Sequence, residues 1–311
     1  MIGSILILMA IGMPVALAFL AANIVGAWFF MGGARGVTLM LNNGFGGLTN
    51  FALVPIPLFL LMGEFLAKCG AATDLFALIN RATRRVPGRL GVATVLANAV
   101  FAFITGVSIA AAAAFSKIAY PEMRRFGYER KFALGCIAGS ACLGMLIPPS
   151  VLMIVWGVLT EMAIGKLFIA GIIPGFIVVT LFIGYIMWVA IRHPERVGEG
   201  AVLPAAQQLA RDANDLVEEK DMKAILLSTL GILCLIVLVL GGIWLGLFTP
   251  TEGAGVGATL ALILALMRGM TMSEMLEAIL SVGKTSAPLL LLLMDRCLWP
   301  WEQTGDLFFL T

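Results

Sequence analysis

The residues best suited to chemistry lie in one apolar stretch that a proline pair interrupts. The stretch runs from Phe132 to Leu159 and is long enough to cross a bilayer, since a transmembrane helix needs about 20 residues. It nevertheless contains Pro148 and Pro149. Each proline lacks a backbone N–H and clashes with the preceding helical turn, so we predict two half-helices joined by unwound backbone. Interrupted spans of this kind are where secondary transporters bind ions and substrate. A proline-kinked helix that binds nothing is the alternative.

A second interrupted element is predicted just before this span. Residues 90–116 are almost wholly apolar and carry no charge, whereas four arginines precede them and five basic residues follow. Because basic loops mark the cytoplasmic side, both flanks are predicted inside. The segment is too short for two crossings, which indicates a re-entrant helical hairpin over residues 90–119 with its turn at Thr105–Ser108. One overlong tilted helix is the alternative, and it would place one basic cluster outside.

The hairpin turn and the broken span supply the candidate binding residues. Hydroxyl and carbonyl oxygens suit a hard cation such as sodium, and the C-terminal ends of half-helices favour positive charge. We therefore hypothesise a site for sodium and substrate between the turn and the break, with no other metal or cofactor. The residues proposed for it are Thr105, Gly106, Ser108, Gly139, Ser140, Gly144, Pro148, Pro149 and Ser150.

Composition places these elements in a lipid bilayer. The 311-residue chain is 61% hydrophobic and 12% charged, with a mean hydropathy of +1.04, whereas a soluble domain is about 25% charged. We predict an all-α polytopic membrane protein. The net charge of +2 gives no indication of a nucleic-acid partner. No catalytic Ser/Lys pair, paired aspartates or metal-ligand spacing is found inside the apolar spans, which argues against an intramembrane enzyme.

The apolar segments divide the chain at one charged loop. Residues 1–192 are predicted to form a first structural repeat, residues 193–223 a cytoplasmic linker, and residues 224–294 the start of a second repeat. Residues 1–31 form either two short spans with a tight turn or one long bent span. The remaining elements predicted for the first repeat are a connector at 32–50, a span at 51–68, an interfacial helix at 73–86, the hairpin at 90–119, the broken span at 132–160 and a span at 167–191.

A weak internal similarity supports the two repeats. Setting Pro14 over Pro250 also places Met31 on Met267. With two spans in residues 1–31, five crossings precede the linker and the copies are inverted, a common transporter construction. Nothing after residue 268 repeats the hairpin or the proline break. We therefore expect an incomplete second repeat, an aberrant tail at 295–311, and no transport by the chain as it stands.

Three charged residues lie within or beside the apolar spans. Glu64 and Lys68 are four apart on one helical face, and we expect a structural ion pair between them. Glu252 lies at the mouth of a span, where we expect it to cap the start of the following helix.

Several motifs together resemble one family. Besides the run Gly139–Ser150, they are Gly12-Met13-Pro14-Val15-Ala16, Pro57-Leu58-Phe59 with Gly63-Glu64, Thr105-Gly106 before an alanine run, Pro121-Glu122-Met123 with Gly127-Tyr128, Ala170–Gly175, and Phe248-Thr249-Pro250-Thr251-Glu252. In these motifs the sequence resembles the large membrane (DctM-type) subunit of tripartite ATP-independent periplasmic (TRAP) transporters, from residue 1 to about 294.

The resemblance implies a multi-pass permease of the bacterial inner membrane that imports C4-dicarboxylates or related organic acids with sodium as the coupling ion. It further implies a small membrane subunit and a periplasmic substrate-binding protein as partners, beside the lipid bilayer. The implied fold is an elevator with two inverted repeats, each with a re-entrant hairpin and a broken helix.

The sequence departs from this family in two ways. Ala111 stands near the hairpin turn, where the family often has Asp or Thr. The family also continues into a second hairpin and a second proline break, so the resemblance implies a chain truncated at its C-terminus. Two alternatives to the TRAP permease are a binding-protein-independent sodium/dicarboxylate symporter of similar architecture and a non-functional fragment.

Overall fold

The computed structural model describes residues 2–30, 32–48, 51–198 and 222–297, and these residues are organised as α-helices. Short 3-10 turns lie at Phe51–Leu53 and Pro194–Arg196. The helices in chain order are α1 Ile2–Ala10, α2 Val15–Phe30, α3 Ala34–Leu48, α4 Pro55–Lys68, α5 Ala71–Ala82, α6 Arg89–Thr105, α7 Ser108–Arg125, α8 Arg130–Ala141, α9 Leu143–Leu146, α10 Val151–Leu159, α11 Ile164–Arg192, α12 Met222–Trp244, α13 Pro250–Met267 and α14 Met272–Cys297.

The predicted all-α membrane fold is confirmed. Within the described ranges, five helical segments are long and apolar enough to cross a membrane. They are Phe51–Lys68, Arg130–Leu159, Ile164–Arg192, Pro250–Met267 and Met272–Leu293. The described residues divide into two compact units, one formed by those up to Val54 together with residues 280–297, the other by those between Pro55 and Ile279. The predicted repeats stay a prediction, because most of the linker at 193–223 and of the tail at 295–311 lies outside the described residues.

The first unit begins with two short helices. α1 and α2 are separated by a turn in which Gly12 has a φ of 95°, so residues 2–30 form two helices and not one long bent helix. At 1.5 Å per residue, the nine residues of α1 rise only about 13 Å.

The connector expected at 32–50 is wrong, because Ala34–Leu48 form α3. Its buried positions Gly36, Met40 and Gly44 recur every four residues and form one helical face. Met40 packs with Ala27 of α2. Glycines that we read as loop residues are there the small residues of a buried face.

In the second unit, α5 occupies most of the segment expected to be an interfacial helix at 73–86. Its buried residues Ala72, Leu75 and Phe76 follow helical spacing. The Phe76 ring meets the Phe115 ring of α7 edge to face, with centroids 6.4 Å apart. At least part of the apolar face of this helix packs against the protein, and its place at the membrane interface stays a prediction.

Helices α6 and α7 form the predicted hairpin. The rings of Phe101 and Phe115 lie 5.7 Å apart, whereas 14 residues of a continuous helix would rise about 21 Å. Further down, Thr94 Oγ1 lies 3.8 Å from Met123 Sδ. These pairs bracket the turn, which excludes the overlong single helix. Entry and exit from the cytoplasmic side stay a prediction.

The span after the hairpin is interrupted where the prolines predict. Helix α8 ends at Ala141 and the short α9 at Leu146, residues 147–150 are non-helical, and α10 begins at Val151. Pro148 and Pro149, joined by a cis peptide bond, are both buried. The proline-kinked continuous helix is therefore excluded, and the backbone of the break lies inside the protein.

Candidate functional site

The hairpin turn is compact. α6 ends at Thr105, and Gly106 follows in the left-handed conformation with a φ of 60°, which glycine adopts without steric cost. Val107 is extended and α7 starts at Ser108. Thr105 is buried, and its Oγ1 donates to the Phe101 carbonyl at 3.2 Å. Since the hydroxyl proton is used within the helix, the Thr105 oxygen keeps lone pairs for another ligand.

The break has a similar construction. Ser150 is fully buried and its Oγ donates to the Met145 carbonyl at 2.7 Å, back across the unwound residues. Ser150 precedes α10 in an extended conformation and does not cap it with its side chain. The hydroxyl therefore closes the break instead of capping the next helix.

The turn and the break are in direct backbone contact. The Val151 N–H donates to the Gly106 carbonyl at 3.3 Å. A β-carbon added to Gly106 would lie 2.3 Å from the Pro149 carbonyl oxygen, and one added to Gly144 would lie 3.1–3.4 Å from the Val107 and Ser108 backbone. Both glycines are required because main chain meets main chain here.

This contact brings helix ends of both signs together. The half-helices α6 and α8–α9 point their C-terminal carbonyls at the site, while α7 and α10 begin there with N-cap residues that make no side-chain cap. Helix C-terminal ends favour cations and N-terminal ends favour anions. The arrangement can therefore hold a small cation and an anionic group side by side.

Two neighbouring helices support the site at glycines. A β-carbon on Gly63 of α4 would lie 2.7 Å from Thr105 Cα, and one on Gly171 of α11 would lie 2.9 Å from the Leu146 carbonyl oxygen. Gly175, one turn after Gly171, faces the side chain of Ile147, 3.0 Å from a built β-carbon. The turn and the break are therefore each held from behind by a helix that approaches without a side chain.

Not all predicted site residues meet at this point. Thr105, Gly106 and Ser108 of the turn lie with Gly144, Pro148, Pro149 and Ser150 of the break. Gly139 instead faces the Phe182 ring of α11, 2.9 Å from a built β-carbon. Ser140 is fully buried and accepts a hydrogen bond from Asn98 Nδ2 at 2.6 Å. Asn98 lies seven residues before Thr105, about 10 Å along α6.

The charged residues of the spans give mixed outcomes. Glu252 does cap α13, in a capping box with Thr249: the Thr249 N–H donates to the carboxylate at 2.8 Å and the Glu252 N–H donates to Thr249 Oγ1 at 3.3 Å. The expected Glu64–Lys68 pair is replaced by another, since Lys68 Nζ lies 2.7 Å from Glu277 of α14. Tertiary packing gives Lys68 a partner on another helix.

Sequence reasoning missed the supporting residues. Asn98 was detectable in principle, as a lone amide in an uncharged apolar segment, but its partner Ser140 is 42 residues away. Gly63 and Gly171 were noted only inside family motifs. Nothing local in the sequence tells which backbone a glycine will meet.

The fold and site define an all-α, multi-pass membrane protein in which a helical hairpin meets a broken helix, an arrangement typical of secondary transporters. The sequence matches the family described as "Tripartite ATP-independent periplasmic transporter, DctM component" over residues 2–299. The chain belongs to this family of inner-membrane transporter components and is not an enzyme. The match extends to residue 299, a few residues beyond the end at about 294 that the motifs indicate.

Several relatives are similar over much of the chain. The C4-dicarboxylate TRAP transporter large permease protein DctM of Pseudomonas aeruginosa is 36% identical over 259 residues, 83% of this chain and 57% of the relative. Its namesake from Rhodobacter capsulatus is 31% identical across 98% of this chain and 69% of the relative. The sialic acid TRAP transporter large permease protein SiaM of Vibrio cholerae is 28% identical across 97% of this chain and 67% of the relative. The aligned region thus spans little more than half of the Pseudomonas relative.

Proposed function

We propose that this chain supplies the hairpin and the broken helix of a sodium-coupled permease that imports organic acids across the bacterial inner membrane. The observation that carries the proposal is the backbone contact between turn and break, where the Gly106 carbonyl accepts from Val151 and the Pro149 carbonyl faces Gly106.

Sodium is the coupling ion that suits this contact. Hard monovalent cations bind oxygen ligands, and the turn and break offer carbonyl groups beside the hydroxyls of Thr105 and Ser150. The C-terminal ends of α6 and α9 add negative potential. The sodium ion binds between Thr105–Ser108 and Gly144–Ser150. Ser140 and Gly139 lie outside this ion site and affect it only indirectly, through packing.

An organic carboxylate is the substrate class that suits the other helix ends. The N-termini of α7 and α10 direct backbone N–H groups toward the same region, and these groups favour an anion. The names of two relatives point the same way, since they specify C4-dicarboxylate and sialic acid, both of which carry a carboxylate. Bound sodium adjacent to the carboxylate links the binding of the two, because each lowers the electrostatic cost of the other.

A small membrane subunit and a periplasmic binding protein are the proposed partners. The argument is family membership, since the family is defined by a tripartite, periplasmic transporter. The binding protein delivers the acid to the outer face of the permease.

The test has one arm for the ion and one for the partners. Binding of ²²Na⁺ is measured on the chain in lipid nanodiscs, with Gly135→Ala as control because a β-carbon there meets nothing within 4 Å. Uptake of a labelled dicarboxylate is then measured on a longer permease that contains these residues and a second hairpin and break, because no transport is expected from the chain by itself. The small subunit is present, the binding protein is added or omitted, and the medium contains sodium or choline. Saturable ²²Na⁺ binding and uptake that needs both sodium and the binding protein are expected. Uptake unaffected by omitting the binding protein would favour the binding-protein-independent symporter.

A further inference from the structure

We propose that Asn98 is a positioning residue, whose hydrogen bond to Ser140 sets the register of α6 against α8 and so holds the hairpin turn against the break. The proposal rests on the proposed function for its sodium readout, but its structural readout is independent of sodium.

The bond joins two elements deep inside the protein. Asn98 and Ser140 are both 0% exposed, and Nδ2 lies 2.6 Å from Oγ. Ser140 also donates its hydroxyl proton to the Cys136 carbonyl at 2.6 Å. Since a serine hydroxyl has one proton, Ser140 can only accept from Asn98, and this fixes the orientation of the amide.

The seam around this bond does little to fix the register. Small residues line both helices there, and a β-carbon built on Gly91 would meet the Cys136 sulfur at 3.6 Å. Buried alanines of the two helices include Ala97 and Ala102 on α6 and Ala133 and Ala141 on α8. Apolar contacts between smooth surfaces are not directional, so a small axial slide costs little. The Asn98–Ser140 hydrogen bond is directional and resists such a slide.

The two helices meet again at the site. From Asn98, α6 leads to Gly106; from Ser140, the chain leads through Gly144 to the break; and Gly106 bonds to Val151. This forms a closed loop of backbone and hydrogen bonds. A slide of α6 against α8 would therefore separate the Gly106 carbonyl from Val151 and displace Gly144 from Val107.

The amide is an unusual choice for stability alone. Asn98 Oδ1 has no hydrogen-bond partner among the described residues, and a buried acceptor without a partner is destabilising. Replacing both members of a buried polar pair by apolar groups of similar shape is nearly neutral or stabilising. An amide that the fold does not need for stability is best explained by the geometry it imposes.

The test compares the single variant Asn98→Leu with the double variant Asn98→Leu/Ser140→Ala. Thr94→Val is the matched control. Thr94 is equally buried on α6, but its hydroxyl bonds to Leu90 of the same helix and contacts Met123 of α7, and neither partner lies on α8. The chain is reconstituted in nanodiscs, and three quantities are measured: the Tm, hydrogen exchange of peptides covering residues 103–110 and 145–152, and ²²Na⁺ affinity.

The double variant is expected to keep or raise the Tm, to exchange faster in both peptides, and to bind sodium about tenfold more weakly. Thr94→Val should change neither the exchange nor the sodium affinity. Unchanged exchange in the double variant, or equal acceleration in Thr94→Val, would overturn the positioning role. Absence of ²²Na⁺ binding in the unmodified chain would refute the sodium proposal, while the exchange result would still decide the role of Asn98.

Discussion

Two of the tight glycine contacts among the described residues differ in what the glycine meets. At the hairpin turn, Gly106 faces the Pro149 carbonyl oxygen, and the built β-carbon lies 2.3 Å from it. Between α4 and α13, Gly257 faces the Met62 sulfur at 2.6 Å. The distances are similar, but the first neighbour is backbone and the second belongs to a flexible side chain.

The difference separates a contact that sets geometry from one that only fills space. A carbonyl oxygen in a packed break moves only if its helix moves, and packed interiors transmit such strain. Methionine has three rotatable side-chain bonds and adapts to its surroundings. We therefore expect glycine substitutions to be severe at the turn and mild in the α4–α13 seam, although both sites look equally crowded.

The largest effect is expected for Gly106→Ala. The left-handed conformation at φ 60° costs a non-glycine residue about 1–2 kcal/mol, and the new methyl group would also overlap the Pro149 carbonyl. The turn must then move away from the break, breaking the Gly106–Val151 hydrogen bond. Sodium binding should be lost, and the Tm should fall. Both are measured on the purified chain, with Gly135→Ala as the control that adds the same methyl group in open space.

Gly63→Ala should have the next largest effect. Its methyl group would lie 2.7 Å from Thr105 Cα and 3.2 Å from the Ile104 carbonyl oxygen, so it pushes the end of α6 without changing its backbone conformation. Overpacking of this kind typically costs about 1–3 kcal/mol. We expect weaker ²²Na⁺ binding and a lower Tm. Gly255→Ala, a helical glycine with nothing within 4 Å of the built β-carbon, should leave both unchanged.

If Gly63→Ala bound sodium as tightly as the unmodified chain, the end of α6 would not belong to the ion site. The site would then have to lie on the break side of the contact, around Gly144 and Ser150.

The turn and the break could be predicted because their signals are local. Two adjacent prolines interrupt any helix, and basic flanks on both sides of an uncharged segment favour a hairpin over a single crossing. The partners of these elements could not be predicted in the same way. That Ser140 bonds to Asn98, or that Lys68 pairs with Glu277, depends on how helices pack after they form. The same holds for α3, where glycines read as a connector lie on a buried helical face.

Gly257→Ala tests whether a glycine substitution in the α4–α13 seam has only a mild effect. The Met62 side chain, 1% exposed, must shift to admit the methyl group, while alanine gains up to about 1 kcal/mol over glycine in a helix interior. The two terms oppose each other, so we expect a change in unfolding free energy within about 1 kcal/mol and unchanged sodium binding. A loss as large as that of Gly106→Ala would show that the seam is as rigid as the turn, and the distinction between the two contacts would fail.

The smallest effect is expected where both partners are flexible, at the Lys68–Glu277 ion pair beyond the end of this seam. The pair is short, at 2.7 Å, but the Glu277 side chain is 73% exposed, so solvent screens the attraction and the ordering of two long side chains offsets it. Exposed pairs contribute about 0–1 kcal/mol. Glu277→Gln should therefore lower the Tm only slightly, by a shift that corresponds to at most about 1 kcal/mol of stability. The shift should become smaller as salt is added.

Asp74→Asn is the matched comparison for this variant, because Asp74 pairs with Arg268 and their side chains are only 20% and 24% exposed. Removing the Asp74 charge leaves the Arg268 guanidinium half-buried without its carboxylate, which costs more than losing a solvated partner. Asp74→Asn should lower the Tm more than Glu277→Gln, and 0.5 M salt should diminish its effect less. Equal Tm shifts in the two variants would mean that burial does not determine how much each ion pair contributes to stability. The rule that the effect of a substitution depends on the rigidity of the neighbouring group would then hold only for backbone contacts, such as the one between Gly106 and Pro149.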